Sequence, residues 1–150
     1  MTVESGSEKA QILVVEDNPG DVMLLQMALE SAGVACELTV IGDGGEALAR
    51  VRQMGSEGAA ALDLAILDLN LPKNDGIEIL AGLRGNPWFA GVPVVILTSS
   101  SSPRELARIK GLQVARYITK PLDFEDYLKI GLILKDLLAE RNRSSASSTS

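Results

Sequence analysis

The stretch Leu62–Pro72, L-D-L-A-I-L-D-L-N-L-P, limits what this chain can fold into more than any other. Leu64, Ala65, Ile66 and Leu67 form an unbroken apolar run that ends in a carboxylate, Asp68. A short run without polar alternation is what a parallel strand buried on both faces requires. Pro72 cannot donate to a ladder, so the strand predicted here ends just after Asp68. That places Asp68 at the carboxyl end of a buried strand, where open α/β sheets hold their ligands. Taken alone, the same residue is equally consistent with a strand-end acid facing solvent.

The rest of the chain supplies partners for this strand. Gln11–Glu16 reads as a β-branched-rich strand ending in acid. Asn18-Pro19-Gly20-Asp21 then opens a helix, with Asn18 as cap and Pro19 at the first helical position, and Gly33 suits its end. Cys36–Ile41 reads as a second strand, and Asp43-Gly44-Gly45-Glu46 as a capping box for a helix through Met54. After the central strand, a helix is predicted over Gly76–Arg84, then a loop at Asn86-Pro87-Trp88 with Trp88 as a packed anchor. Val92–Thr98 is a fourth buried strand, and Ser102-Pro103-Arg104-Glu105 a capping box for a helix to about Lys110. Val114–Ile118 is a short fifth strand, and Asp123 caps a last helix ending near Arg141. Residues 1–9 read as a flexible leader and 142–150 as a disordered Ser-rich tail, leaving one domain over 10–141. Five β–α units imply a parallel sheet with right-handed crossovers and helices on both faces.

Composition excludes several kinds of chemistry. The chain has no histidine, which removes Ser-His and Cys-His nucleophile pairs and every His-ligated metal site. Its single cysteine, Cys36, permits no intrachain disulfide and fits a reducing cytoplasm. The net charge of −6 argues against a nucleic-acid surface. No segment approaches the roughly 18 apolar residues of a membrane span, and the polar start, Met1–Lys9, lacks the apolar stretch of a signal peptide. Chemistry here is left to carboxylates, hydroxyls, amides and lysine.

Those groups gather at the predicted strand ends. The first strand delivers Glu16 and Asp17, the third Asp68, the fourth Thr98, and Lys120 follows the fifth. In an all-parallel sheet these ends share one rim. Two unit charges ~4 Å apart repel by about 4 kcal/mol at an effective dielectric of ~20, so such a carboxylate cluster calls for a cation or a proton. Oxygen-only ligands suit Mg²⁺ with retained waters. A divalent ion and an ammonium beside a carboxylate can neutralise an incoming phosphoryl group, and phosphoryl transfer needs mainly positioning and charge stabilisation.

At these residues the chain resembles the receiver domain of bacterial response regulators. The matching pieces are Glu16-Asp17, Asp68-Leu69-Asn70-Leu71-Pro72 with Asp75-Gly76, Thr98-Ser99, and Lys120-Pro121 with Tyr117 three residues earlier. The resemblance covers about residues 10–140 and implies a flavodoxin-like, doubly wound sheet of five parallel strands, order 2-1-3-4-5, with five helices. It implies that Asp68 is the phosphoacceptor for a sensor histidine kinase. Asp17, Asp68 and the Asn70 main-chain carbonyl would ligate Mg²⁺, with Glu16 acting through a metal-bound water. Lys120 would pair with the phosphoryl group, and a cis Lys120–Pro121 bond is expected. Thr98 and Tyr117 would form the switch, and the side chains of Asn70 and Ser100 would tune dephosphorylation. Leu71 and Ser99 depart from the residues many receivers carry, Met and Ala or Gly. The wording around Leu71-Pro72-Lys73 and Ile118–Asp123 is similar to small stand-alone receivers that serve bacterial phytochrome-type histidine kinases.

The residues after 141 are expected to leave no room for a DNA-binding domain, so the expected output is a protein contact. In the last helix, Tyr127, Ile130, Leu134 and Leu137 form the stripe expected to face the sheet. Phe124, Leu128 and Leu132 form a second stripe, a candidate homodimer or partner face. The resemblance implies a cytoplasmic signalling module that catalyses only its own phosphorylation and dephosphorylation. An aspartyl-phosphate phosphatase would want a second acid where Asn70 stands. A flavodoxin-like cofactor binder would want a phosphate loop where Glu16-Asp17 stands, and a degenerate adaptor would lack some of these positions.

Overall fold

The computed structural model describes residues 9–53, 62–71, 76–89, 91–99, 103–109 and 111–149. The five apolar runs form β1 (Ala10–Val15), β2 (Cys36–Ile41), β3 (Leu64–Leu67), β4 (Val94–Thr98) and β5 (Arg116–Thr119). They pair in parallel in the order β2-β1-β3-β4-β5, as the resemblance implies. Between and after them run α1 (Pro19–Ser31), α2 (Gly44–Gln53), α3 (Gly76–Gly85), α4 (Pro103–Ile109) and α5 (Phe124–Thr149), with a 3₁₀ turn at Pro87–Phe89.

Helix starts follow the capping residues. The Asn18 Oδ1 accepts from the Gly20 N–H at 2.8 Å, satisfying one of the orphan donors of α1. Asp43 Oδ1 accepts from the Gly45 and Glu46 N–H groups at 2.7 and 3.2 Å, and Asp123 Oδ1 from the Glu125 N–H at 3.3 Å. Ser102, Lys110 and Met54 lie outside the described residues, as does the Trp88 side chain.

The sheet is buried on both faces, which is why β3 and β4 read as continuous hydrophobic runs. One face carries Leu13, Val15, Ala65, Leu67, Val94 and Ile96 against α2 and α3. The other carries Ile12, Val14, Leu64, Ile66, Val95 and Leu97 against α1 and α5. Tyr127, Ile130 and Leu134 are buried in that second cluster as expected, but Leu138 takes the fourth buried place and Leu137 is only half-buried. Gly131 lies where α5 crosses α1: a β-carbon there would overlap the carbonyl of Ala28. The bare backbone lets the two helices approach this closely.

Three boundaries differ from the sequence reading. β4 begins at Val94 rather than Val92, because Pro93 has no N–H to give and contributes only its carbonyl, to the Ala65 N–H at 3.0 Å. β5 is shifted from Val114–Ile118 to Arg116–Thr119, with Val114 packed on the core instead of in the ladder. The last helix does not stop near Arg141 but continues to Thr149, so the expected disordered tail is helical through that residue. No Gly or Pro occurs between Leu132 and Thr149 to end it.

Candidate functional site

Matched strand lengths bring the carboxyl ends of the strands to one rim. Val15 stands in register with Ile41 and with Leu67, and Leu67 with Ile96. The ladder then runs one bond further. The Glu16 N–H donates to the Ile41 carbonyl at 3.1 Å, the Asp68 N–H to the Val15 carbonyl at 3.0 Å, and the Lys120 N–H to the Thr98 carbonyl at 2.8 Å. Backbone pairing therefore fixes three site residues before any side chain interacts.

The side chains converge on Lys120. Its Nζ lies 2.7 Å from Glu16 Oε1, 2.8 Å from Asp21 Oδ2 and 3.0 Å from Asp68 Oδ2. Glu16 and Asp68 are only 7% and 5% exposed, and Thr98 is fully buried. Asp17 faces solvent, yet its carboxylate joins those of Glu16 and Asp68 in a cluster whose ligand oxygens all lie within 4.8 Å. Asp68 Oδ1 accepts from the Asn70 N–H at 2.9 Å, and Asn70 Nδ2 donates to Thr98 Oγ1 at 3.2 Å. Glu16 Oε2 accepts from the Asn18 N–H at 3.1 Å.

The electrostatics follow from burial and crowding. Burial pushes the Glu16 carboxyl up to about 7, and the Asp68 charge adds to this against the opposing pull of Lys120 and the Asn18 N–H. Burial pulls the Lys120 ammonium down, but its bonds to Asp21, Glu16 and Asp68 outweigh that and hold it above the usual lysine value. On α5, the Tyr127 hydroxyl donates to the Asp21 carbonyl at 3.4 Å, and burial, reinforced by the Asp21 charge, raises its pKa.

Gly76 is part of this architecture. A β-carbon there would overlap the Asp68 carbonyl and the Leu69 backbone, so only glycine lets α3 begin against the residue after β3. Pro72, Asp75 and Ser100 lie outside the described residues. The Lys120–Pro121 bond is trans, not cis as expected from the resemblance. The trans isomer is the intrinsically preferred one for X-Pro, and Lys120 reaches Asp68 from it. Tyr117 pairs in register with Ile96, two residues before Thr98, which places it on the same sheet face as Thr98. There it is half-buried against the α2/α3 core, and burial, with the Glu105 charge, raises its hydroxyl pKa.

Sequence reasoning placed Glu16, Asp17, Asp68, Thr98 and Lys120 on one rim, where the structure has them. It missed Asp21, whose only local signal was an acid in the first turn of a helix, the ordinary complement to a helix dipole. The four carboxylates, Glu16, Asp17, Asp21 and Asp68, carry four formal negative charges against the one positive charge of Lys120, a balance of −3. An oxygen-only donor set with this charge excess fits a hard divalent cation.

The family model for the response regulator receiver domain matches residues 12–130. The chain belongs to that family. This receiver is 38% identical over 131 residues to response regulator Rcp1 of Synechocystis sp., a match covering 87% of this chain and 88% of that one. Among solved structures, it resembles the phosphorylated cyanobacterial phytochrome response regulator RcpA, with 36% identity and a TM-score of 0.77 over 87% of this chain and 94% of that one. It also resembles the Mn²⁺-bound form of response regulator Rcp1, with 37% identity and a TM-score of 0.71 over 81% of this chain and 88% of that one. The receiver is thus a response-regulator module of a two-component system. No described helix is long and apolar enough to cross a membrane.

Proposed function

We propose that this receiver accepts a phosphoryl group on Asp68 from a sensor histidine kinase, with Mg²⁺ at the rim, and thereby switches a protein-interaction surface. The observation that carries this reading is the Lys120 ammonium held 3.0 Å from Asp68 Oδ2, beside a carboxylate cluster in charge excess. Asp17, Asp68, the Asn70 carbonyl and, through water, Glu16 would hold the ion. When bound, it supplies positive charge that offsets the carboxylates and the developing negative charge of transfer.

An oxygen of the Asp68 carboxylate forms the new P–O bond as the P–N bond of the donor phosphohistidine breaks, and the imidazole leaves. Lys120 pairs with the phosphoryl oxygens. Thr98, whose hydroxyl accepts from Asn70, turns to donate to the phosphoryl group, and Tyr117 follows on the same sheet face. Asn70 and Ser100 set the access of hydrolytic water. The module catalyses only its own phosphorylation and dephosphorylation.

The names of the similar proteins favour a phytochrome-type kinase as donor. The net charge of −6 disfavours nucleic acid, and the reducing-compartment composition favours the cytoplasm. For the output, Phe124 and Leu132 are 44% and 55% exposed with Leu128 half-buried between them, which supports a homodimer or partner face on α5.

The decisive experiment treats the full chain with Mg²⁺ and acetyl phosphate or beryllofluoride and compares Asp68→Asn. With acetyl phosphate the wild type gains one base-labile phosphoryl group and with beryllofluoride it binds the phosphoryl mimic, whereas the variant does neither. Equal modification of both would refute the assignment of Asp68. A sedimentation shift on beryllofluoride binding that Leu132→Glu abolishes would support the α5 face; an unchanged oligomeric state in both would sink it.

A further inference from the structure

Asp21 is the carboxylate on Lys120 to which no role has been given. A lysine ammonium has three N–H donors, and here Glu16, Asp21 and Asp68 occupy all three at 2.7, 2.8 and 3.0 Å. Glu16 and Asp68 also belong to the oxygen cluster that fits a divalent cation; Asp21 does not. A cation at that cluster competes with Lys120 for two of its three partners. The lysine stem is long and flexible, so an ammonium released by both would be free to swing away from Asp68.

Asp21 is built to prevent that. It sits in the first turn of α1, whose N-terminus the Asn18 cap fixes, and the Tyr127 hydroxyl of α5 holds its carbonyl. Its side chain is 20% exposed, so the pair with Lys120 is not a freely solvated surface contact. The Asn18 cap is itself tied to Glu16 through its N–H, but the Tyr127 bond passes through none of Glu16, Asp17 and Asp68.

We propose that Asp21 is a positioning residue for phosphoryl transfer, holding the Lys120 ammonium over Asp68 while Glu16 and Asp68 serve the metal. The proposal rests on the reading of Asp68 as phosphoacceptor. It adds an ion pair with a distinct duty: the pair keeps a counter-charge in place between metal arrival and phosphoryl arrival.

The test uses the full chain with ¹⁵N-lysine labelling and saturating Mg²⁺, with no phosphodonor. The Lys120 ammonium signal, assigned by its loss in Lys120→Arg, is protected from solvent exchange in wild type. In Asp21→Asn it broadens, and in Asp21→Glu, which restores the charge, it recovers. Acetyl phosphate is then added. The maximal rate of Asp68 modification falls roughly tenfold in Asp21→Asn, the worth of one charge-assisted hydrogen bond, while half-saturating Mg²⁺ stays close to the wild-type value. A merely structural role for Asp21 would leave the Lys120 signal of the folded variant unchanged. Equal protection of Lys120 in metal-loaded wild type and Asp21→Asn therefore overturns the proposal. A protected Lys120 in a wild type that takes no phosphoryl group would instead overturn the phosphoacceptor reading, and with it the duty assigned to Asp21.

Discussion

The two ends of the sheet handle charge in opposite ways. At the amino-terminal end, Asp63 and Arg141 balance each other at 3.6 Å and spend their remaining bonds on backbone. Asp63 Oδ2 accepts from the Gln11 N–H at 2.8 Å, and Arg141 donates to the Leu62 and Gly91 carbonyls at 3.1 and 3.0 Å. That end is a clasp between α5 and the strand entrances. At the carboxyl end, Lys120 faces more carboxylates than it can neutralise, and two of them are almost fully buried. One end is closed with matched charge, and the other is left with an excess of negative charge.

The contrast is most directly broken by removing each cation in turn. Lys120→Met leaves buried carboxylates without a partner and is expected to cost about 3 kcal/mol in EDTA. Mg²⁺ should recover a large part of this, measured as urea midpoints with and without the ion. Gly76→Ala comes next, at about 2 kcal/mol, because its β-carbon meets backbone that cannot yield. Gly85→Ala, which meets nothing within 4 Å, is the control and should stay near wild type.

A pH series sharpens the comparison further. Glu16 holds its proton up to about 7 in the folded chain against its usual 4.5, so the folded state binds that proton more tightly than the unfolded one. The stability this confers on the metal-free protein is complete below the lower value and is lost as pH rises toward 7, by at most about 1.4 kcal/mol per unit. Glu16→Gln should flatten that slope in urea titrations in EDTA; an unchanged slope would place the titration elsewhere. The smallest effect belongs to the balanced end. Arg141→Met should cost about 1 kcal/mol, and Mg²⁺ should not change the difference from wild type.

What the sequence disclosed and what it hid divide along sequence distance. β1, β3 and β4 were legible because burial on both faces writes itself as apolar runs without polar alternation, I-L-V-V, L-A-I-L and V-V-I-L. Glu16, Asp68 and Thr98 could be placed because each ends or directly follows such a run. Asp21 could not, since its partner Lys120 is 99 residues away and nothing local separates it from an ordinary helix-start acid. The beginning of β4 and the span of β5 depended on which backbone N–H groups find a partner across the sheet, which a single strand does not reveal. Leu137 and Leu138 are one helical step apart, and only the tilt of α5 on the sheet decides which points inward.

That tilt leads back to Gly131. With no side chain on Gly131, α5 settles directly against the Ala28 carbonyl of α1. Asp21 rides on the first of these rods, and Lys120 enters just before the second. The spacing of the Lys120–Asp21 ion pair is therefore gauged, like the gap in a spark plug, by a backbone contact about two helical turns below Asp21. Adding one methyl group at Gly131 would widen that gap without altering a single charge.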